Sequence, residues 1–245
     1  MEDVWSLPEF QWAWFTVNTR AVYLDHDPRF ESARNLPSAD CLALVPHLDL
    51  LNHSGGVSVR AAVGRAGYQI VSLSPVQKYH QAFISYGPHD NTKLLLEYGF
   101  FLNNNPHESF NISLEDDVLQ FVETSDLVFH HVDKKIRLIR DQGLHLKLSI
   151  SSDGFTWSLK TVLKIMTLTE ESARNILEKI YSEEEEDHGH CSLYLSFLSY
   201  LEAKLLQHKM QMKNILPNCS NQFEQCYQLV ESHVCLLEQA RTRLT

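Results

Sequence analysis

An α+β fold in two parts is what this sequence predicts, and three observations carry that reading. Between residues 57 and 86, short β-branched and aromatic runs alternate with Gly and Pro, with no long helical pattern among them. After Asn103-Asn104-Asn105-Pro106, a polar stretch closed by proline, long helical periodicities take over. A hydrophobic fraction of 44% over 245 residues is enough for one good core or two small ones, and too high for a disordered chain. The expected parts are residues 1–105, rich in short strands, and residues 106–245, mostly helical.

The elements follow in order. Leu7 to Tyr23 spaces Trp12, Trp14, Phe15, Val17, Val22 and Tyr23 at helical intervals, with Pro8 where a first turn tolerates it, and predicts an amphipathic helix. Asp25 to Pro37 is polar and proline-punctuated, a loop. An apolar run, Cys41 to Val45, ends at Pro46. Val57 to Val63, Tyr68 to Ser72 and Gln81 to Tyr86 alternate as strands. Asn91 to Tyr98 is a short helix, with Asn91 as N-cap and Gly99 as terminator. Leu144 to Ile150 alternates as a strand, and Ser152-Asp153-Gly154 makes a turn. Trp157 to Leu168 is a helix burying Leu159, Val162, Leu163 and Met166. Helices over Glu170–Tyr181, Leu193–Met212 and Gln222–Arg243 complete the chain, the acidic run Glu183–Asp187 being a solvated loop.

Composition excludes several function classes. No apolar stretch is long enough to span a bilayer, and Met1-Glu2-Asp3-Val4-Trp5 lacks a basic, apolar leader, so neither membrane insertion nor secretion is expected. A net charge of -10 argues against direct nucleic-acid binding and suits a basic protein partner. Cys41, Cys191, Cys219, Cys226 and Cys235 are odd in number and scattered, which fits free thiols in a reduced compartment. His188, His190 and Cys191 lie close together, but no CxxC cluster completes four tetrahedral ligands, and no metal is expected.

Two short motifs stand out within the first part. Asn52-His53 in Asp49-Leu-Leu-Asn-His-Ser54 has the character of a turn or cap, and Tyr86-Gly87 that of an aromatic beside a turn. Their order carries more than either alone: Asn-His, then Tyr-Gly-x-x-x-Asn91, then Leu94-Leu-x-x-Tyr98-Gly-Phe100, preceded by Phe10-x-Trp12-Ala13. That series resembles the C-terminal half of a SET methyltransferase domain, in the branch typified by the Rubisco large-subunit lysine methyltransferase. The helical part after Pro106 resembles the substrate-binding domain of that branch.

The resemblance implies protein-lysine N-methylation with S-adenosyl-L-methionine as cofactor. It makes Tyr86 the catalytic tyrosine, Asn52, His53 and Tyr98 cofactor-binding residues, and Arg20 part of the substrate-lysine pocket. Asn91 would brace the turn between the two tyrosines. The implied partner is a protein with an accessible lysine, histones among the candidates, and the implied compartments are nucleus and cytosol. Family members open with a Gly-rich loop and paired strands that have no counterpart here, Gly55-Gly56 lying on the wrong side of the Asn-His segment. The expectation is therefore an incomplete SET domain, either still able to transfer methyl or acting as a catalytically inactive, partner-binding form.

Overall fold

The computed structural model of the chain describes residues 5–23, 42–64, 67–169, 175, 176, 178, 190–215 and 221–245. The chain divides into two compact units: Met1–His89 with Lys93–Gly99, and Asp90–Thr92 with Phe100–Thr245. The architecture is α+β.

The first unit opens with helix α1, Leu7–Arg20, whose start is fixed by a capping box between Ser6 and Glu9 and by Pro8 in the first turn. The helix starts where the sequence places it but stops at Arg20, because Ala21–Tyr23, expected as its last turn, pairs as strand β1, and the expected buried face is absent. Among its described residues none is buried, and Phe10, Trp12, Trp14 and Phe15 are 58–72% exposed. The remaining elements are β1 (Ala21–Tyr23), β2 (Leu42–Leu44), the turn of helix α2 (Pro46–Asp49), β3 (Asn52–His53), β4 (Val59–Gly64), β5 (Gly67–Ser72) and β6 (Phe83–Ile84). They form separate two-stranded pairs: β1 with β2 and β4 with β5 antiparallel, β3 with β6 parallel. The third expected strand, Gln81 to Tyr86, contracts to two residues because its pairing partner is itself only two residues long.

Asn91 starts the three-residue helix α3 (Asn91–Lys93), which widens into a π-turn over Leu94–Tyr98 and stops at Gly99 in the left-handed conformation. Asn91 is not the expected N-cap. Its side chain bonds within the second unit, to which Asn91 belongs: the amide donates to the Leu102 carbonyl at 3.0 Å and to Glu108, and the oxygen accepts the Leu102 N–H at 2.9 Å. The bond to the Glu108 carboxylate is charge-assisted, and a buried carboxylate without a donor would be costly, so this geometry wins over a cap.

The second unit holds the main core. A three-stranded antiparallel sheet, β7 (Ser109–Asn111), β8 (Ser149–Ser151) and β9 (Gly154–Phe155), packs with α4 (Gln120–Thr124), α5 (Val132–Asp141), α6 (Trp157–Thr167), α7 (Cys191–Ile215) and α8 (Asn221–Leu244). Helix α6 buries Leu159, Val162, Leu163 and Met166 as their spacing requires. Helix α7 adds Tyr194, Phe197, Leu198 and Leu201, all with 0% exposure. Each such side chain contributes roughly 1.5–3 kcal/mol of burial.

The strand expected from Leu144 to Ile150 is a 3₁₀ turn, Leu144–Lys147, followed by β8. Leu144 and Leu148 are both buried while Leu146 is exposed, a helical interval of four that the alternation of Leu residues disguised. The expected helix over Glu170–Tyr181 lies almost wholly outside the described residues, as do the acidic run and the loop after Asp25. Lys135 is fully buried, its Nζ donating to the carbonyls of Met166 at 2.9 Å and Leu168, so a lysine side chain closes the C-terminus of α6.

On α8, buried His233 packs against the ring of Phe110 with centroids 4.6 Å apart, and burial lowers its pKa to about 4. Its folded value lies below its ordinary one, so its contribution to stability is full above pH 6.5 and lost as pH falls toward 4. Raised Glu108 acts in the opposite sense, losing stability as pH rises through its folded value. Between pH 6.5 and 4, urea denaturation of the chain is expected to show a stability loss of roughly 3 kcal/mol from His233. A His233→Phe variant should flatten that slope; an unchanged slope would contradict the assignment.

Candidate active site

The site begins with the shortest strands of the fold. Asn52 pairs with Phe83 and His53 with Ile84, and the Ser54 N–H extends this ladder to the Ile84 carbonyl at 2.9 Å. Two residues per strand give few hydrogen bonds. Side chains supply the rest: the Tyr86 N–H donates to His53 Nδ1 at 3.0 Å, and the Tyr86 hydroxyl donates to the Leu51 carbonyl at 2.8 Å. Tyr86 is thus held at both ends by the two neighbours of Asn52. Nδ1 as acceptor puts the proton of the neutral His53 ring on Nε2.

Aromatic packing continues from there. The Tyr86 ring lies 5.2 Å from the His53 ring and 4.9 Å from the Tyr98 ring, centroid to centroid, and His89 stacks on Tyr98 at 6.1 Å. Gly87 turns the chain with φ 125°, where an added Cβ would stand 2.9 Å from the His89 ring. Both the backbone angle and the close imidazole require glycine after Tyr86.

Tyr86 and Tyr98 reach a cavity of about 290 Å³ in the first unit, walled also by Arg20 from α1, Asp49 from α2, Tyr68 and Ile70 from β5, and Ile84. Arg20 Nη1 lies 2.5 Å from Asp49 Oδ2. Both side chains are partly exposed, so the pair adds little to stability, of order 1 kcal/mol at most. Its place in the cavity wall matters more. Burial, then the Asp49 carboxylate, raises the pKa of the Tyr86 phenol, with Arg20 partly offsetting. Burial, then Glu97, raises that of Tyr98. Both phenols are therefore protonated at neutral pH. The cavity offers the Tyr86 hydroxyl, held on Leu51, the Tyr98 phenol, a permanent cation and a carboxylate, a set that can orient an amine and pair with a ligand's charged groups.

Of the residues singled out from sequence, Arg20, Tyr86 and Tyr98 meet at this cavity. His53 stands behind Tyr86 and fixes it. Asn52 occupies an exposed position of β3 and is not part of the cavity wall. Asp49 and the Leu51 carbonyl were not singled out, although both lie within the same Asp49–Ser54 segment. Asp49 being three residues before Asn52 was the available signal. No group of His, Cys, Asp and Glu suited to hold a metal occurs among the described residues, and His188 lies outside them.

No family model matches the chain. It is 43% identical over 173 residues to SET domain-containing protein 4 of Mus musculus, covering 70% of this chain and 38% of that protein. It is 32% identical over 237 residues to SET domain-containing protein 4 of Artemia parthenogenetica, covering 91% of this chain and 57% of that protein. The chain is homologous to the SET-domain proteins. It spans between about two fifths and three fifths of the length of these SET relatives. A third, ribosomal lysine N-methyltransferase set11 of Schizosaccharomyces pombe, is 40% identical over 116 residues, which cover 47% of this chain and 27% of that protein. The solved structure of Rubisco LSMT bound to sinefungin and monomethyllysine superposes with a TM-score of 0.59 and 18% identity, over 99% of this chain and 55% of that one. That likeness shows that this SET homologue has the Rubisco LSMT fold.

Replacing Asp49 by Asn removes the carboxylate that raises the Tyr86 pKa and frees the Arg20 charge. Both changes act in the same direction. The Tyr86 phenol should titrate at lower pH in Asp49→Asn, read by NMR of ring-labelled tyrosine; an unmoved midpoint would show that the carboxylate does not sense the phenol.

Proposed function

We propose that this chain takes part in S-adenosyl-L-methionine-dependent protein-lysine N-methylation, with the cavity between Arg20 and the two tyrosines as the place where the lysine amine is oriented. The observation that carries the reading is the double anchoring of Tyr86, by His53 on its N–H and by Leu51 on its hydroxyl, facing Tyr98 at a cavity of side-chain size. The residues present fit the cofactor's chemistry. Asn52 offers an exposed carboxamide and Tyr98 a hydroxyl at the cavity; Asn52, His53 and Tyr98 would hold the cofactor, which supplies an electrophilic methyl when bound.

Methyl transfer is an in-line displacement in which a neutral amine nitrogen forms the new C–N bond as the C–S bond breaks. Nothing in it needs a protein nucleophile. What it needs is alignment and the exclusion of water. Tyr86 donates its own proton to Leu51, which leaves the phenol oxygen to act as acceptor for an amine N–H or a polarised methyl C–H. Its raised pKa keeps it a neutral orienting group rather than a base. The amine must reach the site already deprotonated, so the rate should rise with pH through the lysine's own ionisation.

A lysine acceptor is supported by the name of the set11 relative, and the net charge of -10 suits a basic protein, histone or non-histone. Nucleus and cytosol are the proposed compartments, in keeping with the free thiols of Cys226 and Cys235. One observation favours a second reading, a non-catalytic partner-binding form: the aromatic side chains of α1 are exposed.

The test is to incubate the 245-residue chain with labelled S-adenosyl-L-methionine and pools of histones and ribosomal proteins, and to locate the methyl by mass spectrometry. Lysine methylation is expected, falling about 100-fold in Tyr86→Phe. Methylation by Tyr86→Phe equal to the unaltered chain would remove Tyr86 from its role. No methylation of any pool by the folded chain would favour the partner-binding reading.

A further inference from the structure

The second unit contains a larger cavity, about 800 Å³, that the methyl-transfer chemistry does not use. One wall is a stripe of α8, Gln228, Glu231, Ser232, Cys235 and Gln239, residues that recur at helical intervals on one face. Facing it is the amide-rich segment Asn103–Asn105, with Phe101 beside it, and the inner wall carries Asn91 and Glu108. No lysine or arginine lines this cavity among the described residues, whereas two carboxylates do.

The two carboxylates are not equivalent. Glu231 is paired with Lys209 at 2.9 Å and is half exposed. Glu108 is nine-tenths buried, and its hydrogen-bond donors are neutral: the Asn91 side-chain amide and the backbone N–H groups of Asn91 and Ser109. Behind it, His233 Nε2 stands 3.9 Å from Glu108 Oε1, buried and without a hydrogen-bond partner. That imidazole is uncharged at neutral pH, since burial lowers its pKa to about 4, so it does not supply a counter-charge. A buried carboxylate held by amides alone, at the wall of an open cavity rich in carbonyl and carboxylate acceptors, is a receptor for a cation.

We propose that this cavity binds an arginine side chain of a protein partner, with the Glu108 carboxylate as its charged anchor. A guanidinium suits the walls better than an ammonium. It has five N–H donors in a plane, enough for a carboxylate and several side-chain amide oxygens at once, and it is weakly hydrated and stacks on aromatic side chains such as Phe101. The site lies wholly within the second unit and stands independently of the methyl-transfer reading.

The probe is N-acetyl-argininamide, which carries the guanidinium and no carboxylate, titrated into the 245-residue chain at pH 7 and followed by NMR of the side-chain amides of Asn91, Asn103 and Asn104. N-acetyl-citrullinamide, its uncharged isostere, is the control. Saturable shifts at these amides with the arginine probe and not with citrulline are expected. Binding should weaken about tenfold in Glu108→Gln. Because Glu108 is buried, the exposed Gln239→Lys, which places a cation in the cavity wall, is the second variant, and it should also weaken binding while leaving the chain folded. Equal shifts from the two probes, or arginine binding unchanged in the folded Gln239→Lys and Glu108→Gln chains, would overturn the proposal.

Discussion

Everything in the candidate site depends on how Tyr86 is fastened to the Leu51–His53 segment. The parallel pair β3 and β6 is too short to hold itself together by backbone ladder alone, since two residues per strand leave little cooperative pairing. The His53 ring and the Tyr86 hydroxyl reach across and supply two further bonds, each closing a loop of more than thirty residues. Such bonds are individually modest in stability, about 1 kcal/mol. Their geometric effect is larger, because they fix both the backbone and the tip of one tyrosine and so leave its oxygen a single place to be.

Several features of the first unit follow from that constraint. Gly87 must take a backbone angle closed to other residues for the chain to leave Tyr86 past His89. Tyr98 comes to face Tyr86 because the π-turn after α3 adds an extra residue to the helical turn and then ends at Gly99. Arg20 and Asp49 set the electrostatics from the other wall. A phenol kept protonated, a cation and a carboxylate around one small cavity form an orienting environment rather than a nucleophilic one, which suits the proposed methyl transfer to an amine.

Sequence made much of this legible, and the reasons it fell short are physical. Helices α1, α6, α7 and α8 were readable from caps and apolar spacing, because those signals are local. The order of Asn52-His53, Tyr86 and Tyr98 singled out residues of the candidate site, yet not that His53 would act by its side chain on the Tyr86 backbone. Contacts between residues more than thirty positions apart leave no periodic trace. Asn91 read as a helix cap because caps are what isolated asparagines usually are; the buried carboxylate of Glu108, seventeen residues on, redirected it. The leucines of residues 144–148 alternate as a strand would, and only packing of Leu144 and Leu148 into one core selects the 3₁₀ turn. The exposure of α1 is equally invisible in sequence, since spacing reports that a helix has an apolar face and not what lies against it.

The measurement that bears most directly on this account is amide hydrogen exchange at Tyr86 and Ser54, compared between the unaltered chain and His53→Ala. If the imidazole and the short parallel ladder form one fastening, both amides are protected in the unaltered chain and lose protection together in the variant. Protection of Tyr86 that survives removal of the imidazole would contradict it, and would mean that the tyrosine is held by something other than the Asn52-His53 segment.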